Sequence, residues 1–142
     1  MKNWLFKGIL AAVILFGLIQ LVPYGKDHTN PPVVNEPQWD SPATRDLVKR
    51  ACFDCHSNET VWPWYSNVAP VSWLVARDVQ EGRSKLNFSR WGQGRQQSLD
   101  EIIEVIQNNE MPPAIYLLQH PEARLTADEK QALITGLQNS LR

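Results

Sequence analysis

The sequence predicts a mainly α protein, one N-terminal apolar helix followed by a small helical domain. Three observations predict it. Residues 8–22 are apolar apart from Gln20. Several separate helix-start signals punctuate the chain after residue 40. No period-two alternation or hairpin turn competes with them.

The chain has 142 residues, room for one small domain and an appendage. Its net charge of -1 offers no basic face of the kind nucleic acid requires, so no nucleic-acid partner is expected. The appendage comes first. Residues 1–7 are short and basic, and the apolar run that follows ends at Pro23. Leu21-Val22-Pro23-Tyr24 offers no small-residue cleavage site, so the segment reads as an uncleaved signal anchor. Counting Trp4, Leu5 and Phe6, with Lys7 reaching toward the headgroups, the stretch approaches the ~20 residues that span a bilayer. Residues 1–23 are therefore expected to form a single transmembrane helix, with Lys2 and Lys7 holding the N-terminus on the cytoplasmic side. That topology places the rest of the chain on the periplasmic, outer side of a bacterial cytoplasmic membrane, where disulfides are allowed.

Residues 24–37 are polar and proline-rich and read as an extended tether. His28 lies in it and is expected to be a solvated linker residue, since a metal ligand needs a rigid supporting shell. The domain proper is expected at residues 38–142.

Ser41 before Pro42 is an N-cap with proline at the first helical position, and Leu47, Val48 and Ala51 give that helix an apolar face. A second helix is expected to open at Pro70, run through Val71, Leu74, Val75 and Val79, and stop near Gly82. Ser98-Leu99-Asp100-Glu101 and Thr126-Ala127-Asp128-Glu129 are capping boxes. Apolar stripes follow both, Ile102, Ile103, Val105 and Ile106 in one, Leu133, Ile134, Leu137 and Leu141 in the other.

The first of these helices runs into Cys52-Phe53-Asp54-Cys55-His56, which holds both cysteines of the chain. C-x-x-C-H is the attachment sequence of a c-type haem. Two thiols a turn apart suit the two vinyl groups of one haem, and the next residue offers an imidazole to the iron. Other readings exist. A structural zinc site needs about four ligands, and only His28 and His120 remain as nitrogen donors. A redox dithiol should follow a strand, whereas a helix is expected here. A plain disulfide is the third alternative. One covalently attached haem c, held by Cys52 and Cys55 with His56 as proximal iron ligand, is the expected cofactor.

The opposite face of the iron either takes a second protein ligand, which favours electron transfer, or stays open. Met111 is the candidate, the only methionine besides Met1, followed by two prolines that keep the chain extended. His120, before Pro121, is the alternative distal ligand, able equally to bond a carbonyl. Five tryptophans, Trp39, Trp62, Trp64, Trp73 and Trp91, follow the tether. Core fill is their ordinary role, with Trp62, Trp64 or Trp73 as candidates to line a haem pocket.

With these residues in view, the chain resembles c-type cytochromes, in particular a small bacterial haem-binding domain family related to them. The likeness rests on Cys52-x-x-Cys55-His56-Ser57-Asn58-x-Thr60, Trp62-Pro63-Trp64-Tyr65-Ser66, Pro70-Val71-Ser72-Trp73-Leu74, Met111-Pro112-Pro113-x-x-Tyr116 and His120-Pro121-x-Ala123-x-Leu125-Thr126, over residues 38–142. It implies a cytochrome-c-like fold around one haem, thioethers at Cys52 and Cys55, proximal His56 and distal Met111. The insert from Asn58 to Trp91 departs from ordinary cytochromes c.

The function expected from these readings is a membrane-anchored monohaem cytochrome that passes single electrons to redox protein partners. The alternative is a haem-based sensor or small peroxidase with an open distal position. No nucleophile, base and orienter constellation is visible, so an electron carrier is expected rather than an enzyme.

Overall fold

A computed structural model describes residues 2–94 and 96–142, without the side chain of Lys2. The helices are α1 (Lys2–Ile19), α2 (Pro42–Ala51), α3 (Phe53–His56), α4 (Val71–Lys85), α5 (Leu99–Gln107) and α6 (Ala127–Ser140). Short 3-10 turns lie at Trp64–Asn67, Tyr116–Leu118 and Pro121–Ala123. Among the described residues β structure is limited to a bridge between Asn35 and Arg90. The protein is thus mainly α. The chain forms two compact units, residues 2–29 with 62–78, and residues 30–61 with 79–142.

The second unit holds the main apolar core. Ser41 accepts from the Thr44 N–H and starts α2 beside Pro42, while Ser98 and Thr126 each close a capping box, with Glu101 and Glu129, at the heads of α5 and α6. These caps fix where each apolar stripe begins. Val48 of α2, Ile102 and Ile106 of α5, and Leu133, Ile134 and Leu137 of α6 then bury together with Phe53, Leu86 and Phe88. Trp39 and Trp91 pack partly buried against that cluster, with ring centroids 5.6 and 6.2 Å from Phe88. Helix α6 crosses α2 closely because position 136 is glycine: a Cβ there would strike the Thr44 side chain. At its far end α5 stops in a Schellman motif, Asn109 taking φ 59°, its N–H on the Ile106 carbonyl and the Glu110 N–H on that of Val105.

Residues 30–37 run extended and are pinned along this unit. Val34 and Asn35 donate their N–H groups to the Ser89 carbonyl, Trp91 donates to Asn35, and Glu36 forms a two-pronged ion pair with Arg45 at 2.7 and 2.8 Å.

In the first unit, α1 leads into a turn at Gln20, whose amide exchanges two 2.9 Å hydrogen bonds with the Ala69 backbone. A membrane-spanning helix is not what forms. Helix α1 has 18 residues, ~27 Å at ~1.5 Å per residue, short of the ~30 Å hydrocarbon layer. Lys7 and Asn3 lie inside it, so the unbroken apolar part is residues 8–19, and Leu21 and Val22 fall beyond its end. Among the described residues no helix is long and apolar enough to cross a membrane. The single-pass placement in a bacterial cytoplasmic membrane, with the domain on the periplasmic side, is corrected on the same ground. Lys2, paired with Lys7 in that placement, has its side chain outside the described residues.

His28 is not a solvated linker residue either. Its ring stacks on Trp62 at 4.5 Å and its Nε2–H donates to the Ser66 carbonyl at 3.1 Å. In residues 71–78 of α4, Ser72 and Ala76 are buried while Val71 and Leu74 are exposed, so the expected apolar stripe is turned outward there.

Candidate functional site

Cys52 ends α2, its N–H still bonded to the Val48 carbonyl at 2.8 Å, and the backbone then bends at φ -128°, ψ -33°. The bend starts α3, a single turn that carries Cys55 and His56, with the N–H groups of both on the Cys52 carbonyl. One turn of helix therefore collects two thiols and an imidazole. Neither cysteine is in a disulfide, and both are half-buried.

His56 is aimed by residues far along the chain. Its Nδ1 lies 3.1 Å from the carbonyl oxygens of both Gly82 and Leu86. A carbonyl only accepts, so Nδ1 carries the proton and Nε2 keeps its lone pair. Burial, the larger effect, holds the imidazole below its ordinary pKa and hence neutral, against the two carbonyl contacts that favour the charged form. Gly82 makes this possible. A Cβ there would strike the Cys55 carbonyl, so only glycine lets α4 approach the motif so closely. Gly82 is accordingly not the end of α4, which continues to Lys85.

Behind His56 the residues Ser57, Asn58 and Thr60 are buried and polar, and each has partners. Ser57 donates to the Phe53 carbonyl at 2.8 Å; Asn58 joins Pro32, Ser89 and Asn87; and Thr60 donates to the Asp54 carbonyl at 2.7 Å. Arg83 closes the group, donating to the Ser57 carbonyl at 2.7 Å, Asn30 at 2.8 Å and Thr60 at 2.9 Å. This network makes the motif a stiff platform.

The candidates for the other ligand lie on one loop. Met111 follows the Schellman turn with its N–H on the Val105 carbonyl and is 39% exposed. His120 stacks on Tyr116 at 4.2 Å and meets Glu122 through Nδ1 at 3.1 Å. Tyr116 in turn donates to Asp54, between the two cysteines, at 2.7 Å. Burial first, and then the Asp54 carboxylate, push the phenol far above its ordinary pKa, so it remains a donor.

A zinc reading finds no support, because among the described residues no group of three or more His, Cys, Asp or Glu is placed to hold a metal ion. A redox dithiol needs a lowered thiol pKa. Burial does the reverse to Cys52, which it pushes up to about 12 with help from neighbouring Cys55. The residues do fit a haem. Besides thiols and an aimed imidazole, the unit leaves Val61, Met111, Ile115 and Leu118 exposed. The Val61 N–H and the Tyr116 hydroxyl both bond to Asp54, which brings the segments around these two residues to the motif, and exposed apolar side chains on such segments suit a flat apolar group.

Residues 14–139 match a family of haem-binding domains. The chain belongs to that family. No curated protein and no solved structure matches it. As a haem-binding domain the protein binds haem. The matched segment contains every residue of the site described above. Several residues of this haem-binding domain went unread in the sequence. Leu86 acts through its backbone and leaves no signal; Gly82 reads as a helix stop; and Asp54 and Tyr116 lie inside the motifs with nothing in the sequence to mark their bond.

Proposed function

We propose that this protein carries one c-type haem, held through thioether bonds to Cys52 and Cys55, with His56 as the proximal ligand and Met111 as the distal one, and passes single electrons between redox protein partners. The observation that carries the reading is the orientation of His56. Its Nδ1–H is held by the Gly82 and Leu86 carbonyls, the arrangement that leaves Nε2 ready for iron.

When bound, haem supplies a one-electron iron couple, and a thioether ligand raises its potential relative to a second imidazole. The chain's own residues do the rest. The thiols fix position, the buried network from Ser57 to Thr60 resists reorganisation, and the Schellman turn with Pro112 and Pro113 stiffens the loop of Met111. His120 remains the alternative distal ligand, since its Nδ1 contact with Glu122 does not occupy Nε2, while its ring lies on Tyr116.

A haem stain on a denaturing gel tests the attachment, since covalent haem survives denaturation. Wild type should stain and Cys52→Ala/Cys55→Ala should not. An unstained wild type, produced in a host competent for c-haem maturation, overturns the proposal. The sulfur-to-iron band of the ferric protein tests the distal ligand: present in wild type, absent in Met111→Ala. Rapid carbon monoxide binding by ferrous wild type would instead place the protein among gas-binding or peroxidase modules.

A further inference from the structure

Asp54 stands between the two attachment cysteines and divides its carboxylate between two segments. Oδ1 accepts the Val61 N–H at 3.0 Å, and Oδ2 accepts the Tyr116 hydroxyl at 2.7 Å. Around Tyr116 the segment is bonded locally. The Leu117 N–H donates to the Pro113 carbonyl, those of Gln119 and His120 to the Tyr116 carbonyl, and the His120 ring lies parallel to the Tyr116 ring within 8°. Apolar burial does little to hold this segment down, because Ile115 is 71% and Leu118 73% exposed. A directional, charge-assisted bond therefore matters more here than it would in a packed core.

We infer that Tyr116 and Asp54 are positioning residues: their hydrogen bond latches residues 111–120 onto the haem-attachment motif and so sets how firmly Met111 is held against iron. The part that concerns Met111 rests on the ligand reading above; the latch itself does not. The same residue that separates the attachment cysteines thereby reports to the loop that would supply the second ligand. Whatever closes the latch keeps outside ligands away, since their apparent affinity scales with the population of the open loop.

The test uses the haem-loaded full chain as wild type, Tyr116→Phe, Asp54→Asn and the double variant. Imidazole is titrated into each ferric protein, and hydrogen exchange is followed by mass spectrometry. Loss of a hydrogen bond to a charged group is expected to let Tyr116→Phe bind imidazole about tenfold more tightly than wild type. Asp54→Asn keeps a neutral partner for the phenol and should shift less, and the double variant should go no further than Tyr116→Phe. Amides of residues 111–120 should exchange faster in Tyr116→Phe, while those of α5 and α6 stay as they are. Equal imidazole affinity and equal exchange in wild type and Tyr116→Phe would overturn the latch. Met111→Ala, titrated alongside, separates the two questions: if it binds imidazole as wild type does, Met111 is not the ligand, and the exchange data alone decide the latch.

Discussion

Gly82 and Cys55 meet backbone to backbone, so closely that a Cβ built on Gly82 would lie 2.9 Å from the Cys55 carbonyl carbon. A helix interior normally favours alanine over glycine by about 1 kcal/mol. Here the obstacle is backbone, which cannot swing away as a side chain can. Gly82→Ala is therefore expected to destabilise by about 1 to 3 kcal/mol and to lower haem incorporation. Gly17→Ala is the control, since a Cβ at Gly17 in α1 meets nothing within 4 Å and should be neutral or slightly stabilising. Thermal midpoints and the haem-to-protein ratio of both variants check the contrast.

Arg83 serves three acceptors at once, the Ser57 carbonyl, Asn30 and Thr60. Arg83→Met removes these donors and leaves the carbonyl of a buried residue without its partner, a loss of about 2 to 3 kcal/mol. Arg83→Lys should restore less than half of it, because one ammonium cannot reproduce the planar fork. Denaturant midpoints of the three proteins provide the measurement, and full recovery in Arg83→Lys would show that charge alone suffices.

Gly136 and Thr44 make a second close approach, between α6 and α2. Gly136→Ala is expected to cost about 1 to 3 kcal/mol. Thr44→Ala in the same chain removes the two nearer atoms, leaves its Cβ 2.9 Å away and should recover part of that loss, giving a coupling of about 0.5 kcal/mol or more in a double-mutant cycle. Independent, additive losses would mean that the two helices can part without penalty.

Glu129 sets part of the acid stability. The Thr126 backbone N–H, and after it Arg50, lower its pKa from 4.5 to about 2. A carboxylate with a depressed folded pKa lends stability that is fully present above 4.5 and is lost as pH falls from there toward about 2. Glu129→Gln keeps a capping oxygen but has no titration. The variant should melt below wild type at pH 7 and approach it as the pH drops through that window. A gap that stays constant with pH would show that Glu129 titrates alike in the folded and unfolded chains.

Local chemistry made much of the fold legible. The starts of α2, α5 and α6 follow from Ser41-Pro42, Ser98 with Glu101, and Thr126 with Glu129, because a cap is formed by residues three or four apart. The end of α4 was not legible, since glycine marks both a helix stop and a close approach, and only the neighbour at Cys55 decides between them. Periodicity likewise revealed a stripe through Val71 and Leu74 without revealing which way it faces. The N-terminal segment misled for a related reason: composition reports apolarity, but the helix ends at Ile19, and the N–H groups of Gln20, Leu21 and Val22 bond three residues back ahead of Pro23. At the site, Cys52, Cys55 and His56 could be read together because one short turn carries them. Gly82, Leu86 and Tyr116 reach that turn only through folding.

That distance in sequence has a consequence for how the protein is made. Both acceptors of the His56 Nδ1–H come from the end of α4 and just beyond it, 26 and 30 residues downstream. An excised pentapeptide would keep the thiols and the imidazole but lose the aim, and under the proposed ligation either ring nitrogen of an unfolded chain, or those of His28 and His120, would compete for iron. Misligation is thus a hazard of the interval before the loop between His56 and Leu86 closes. Once α4 is docked, the two carbonyl groups leave Nε2 as the open nitrogen, so under the proposed ligation the choice of nitrogen rests on the folded contacts of His56 and not on the attachment sequence alone.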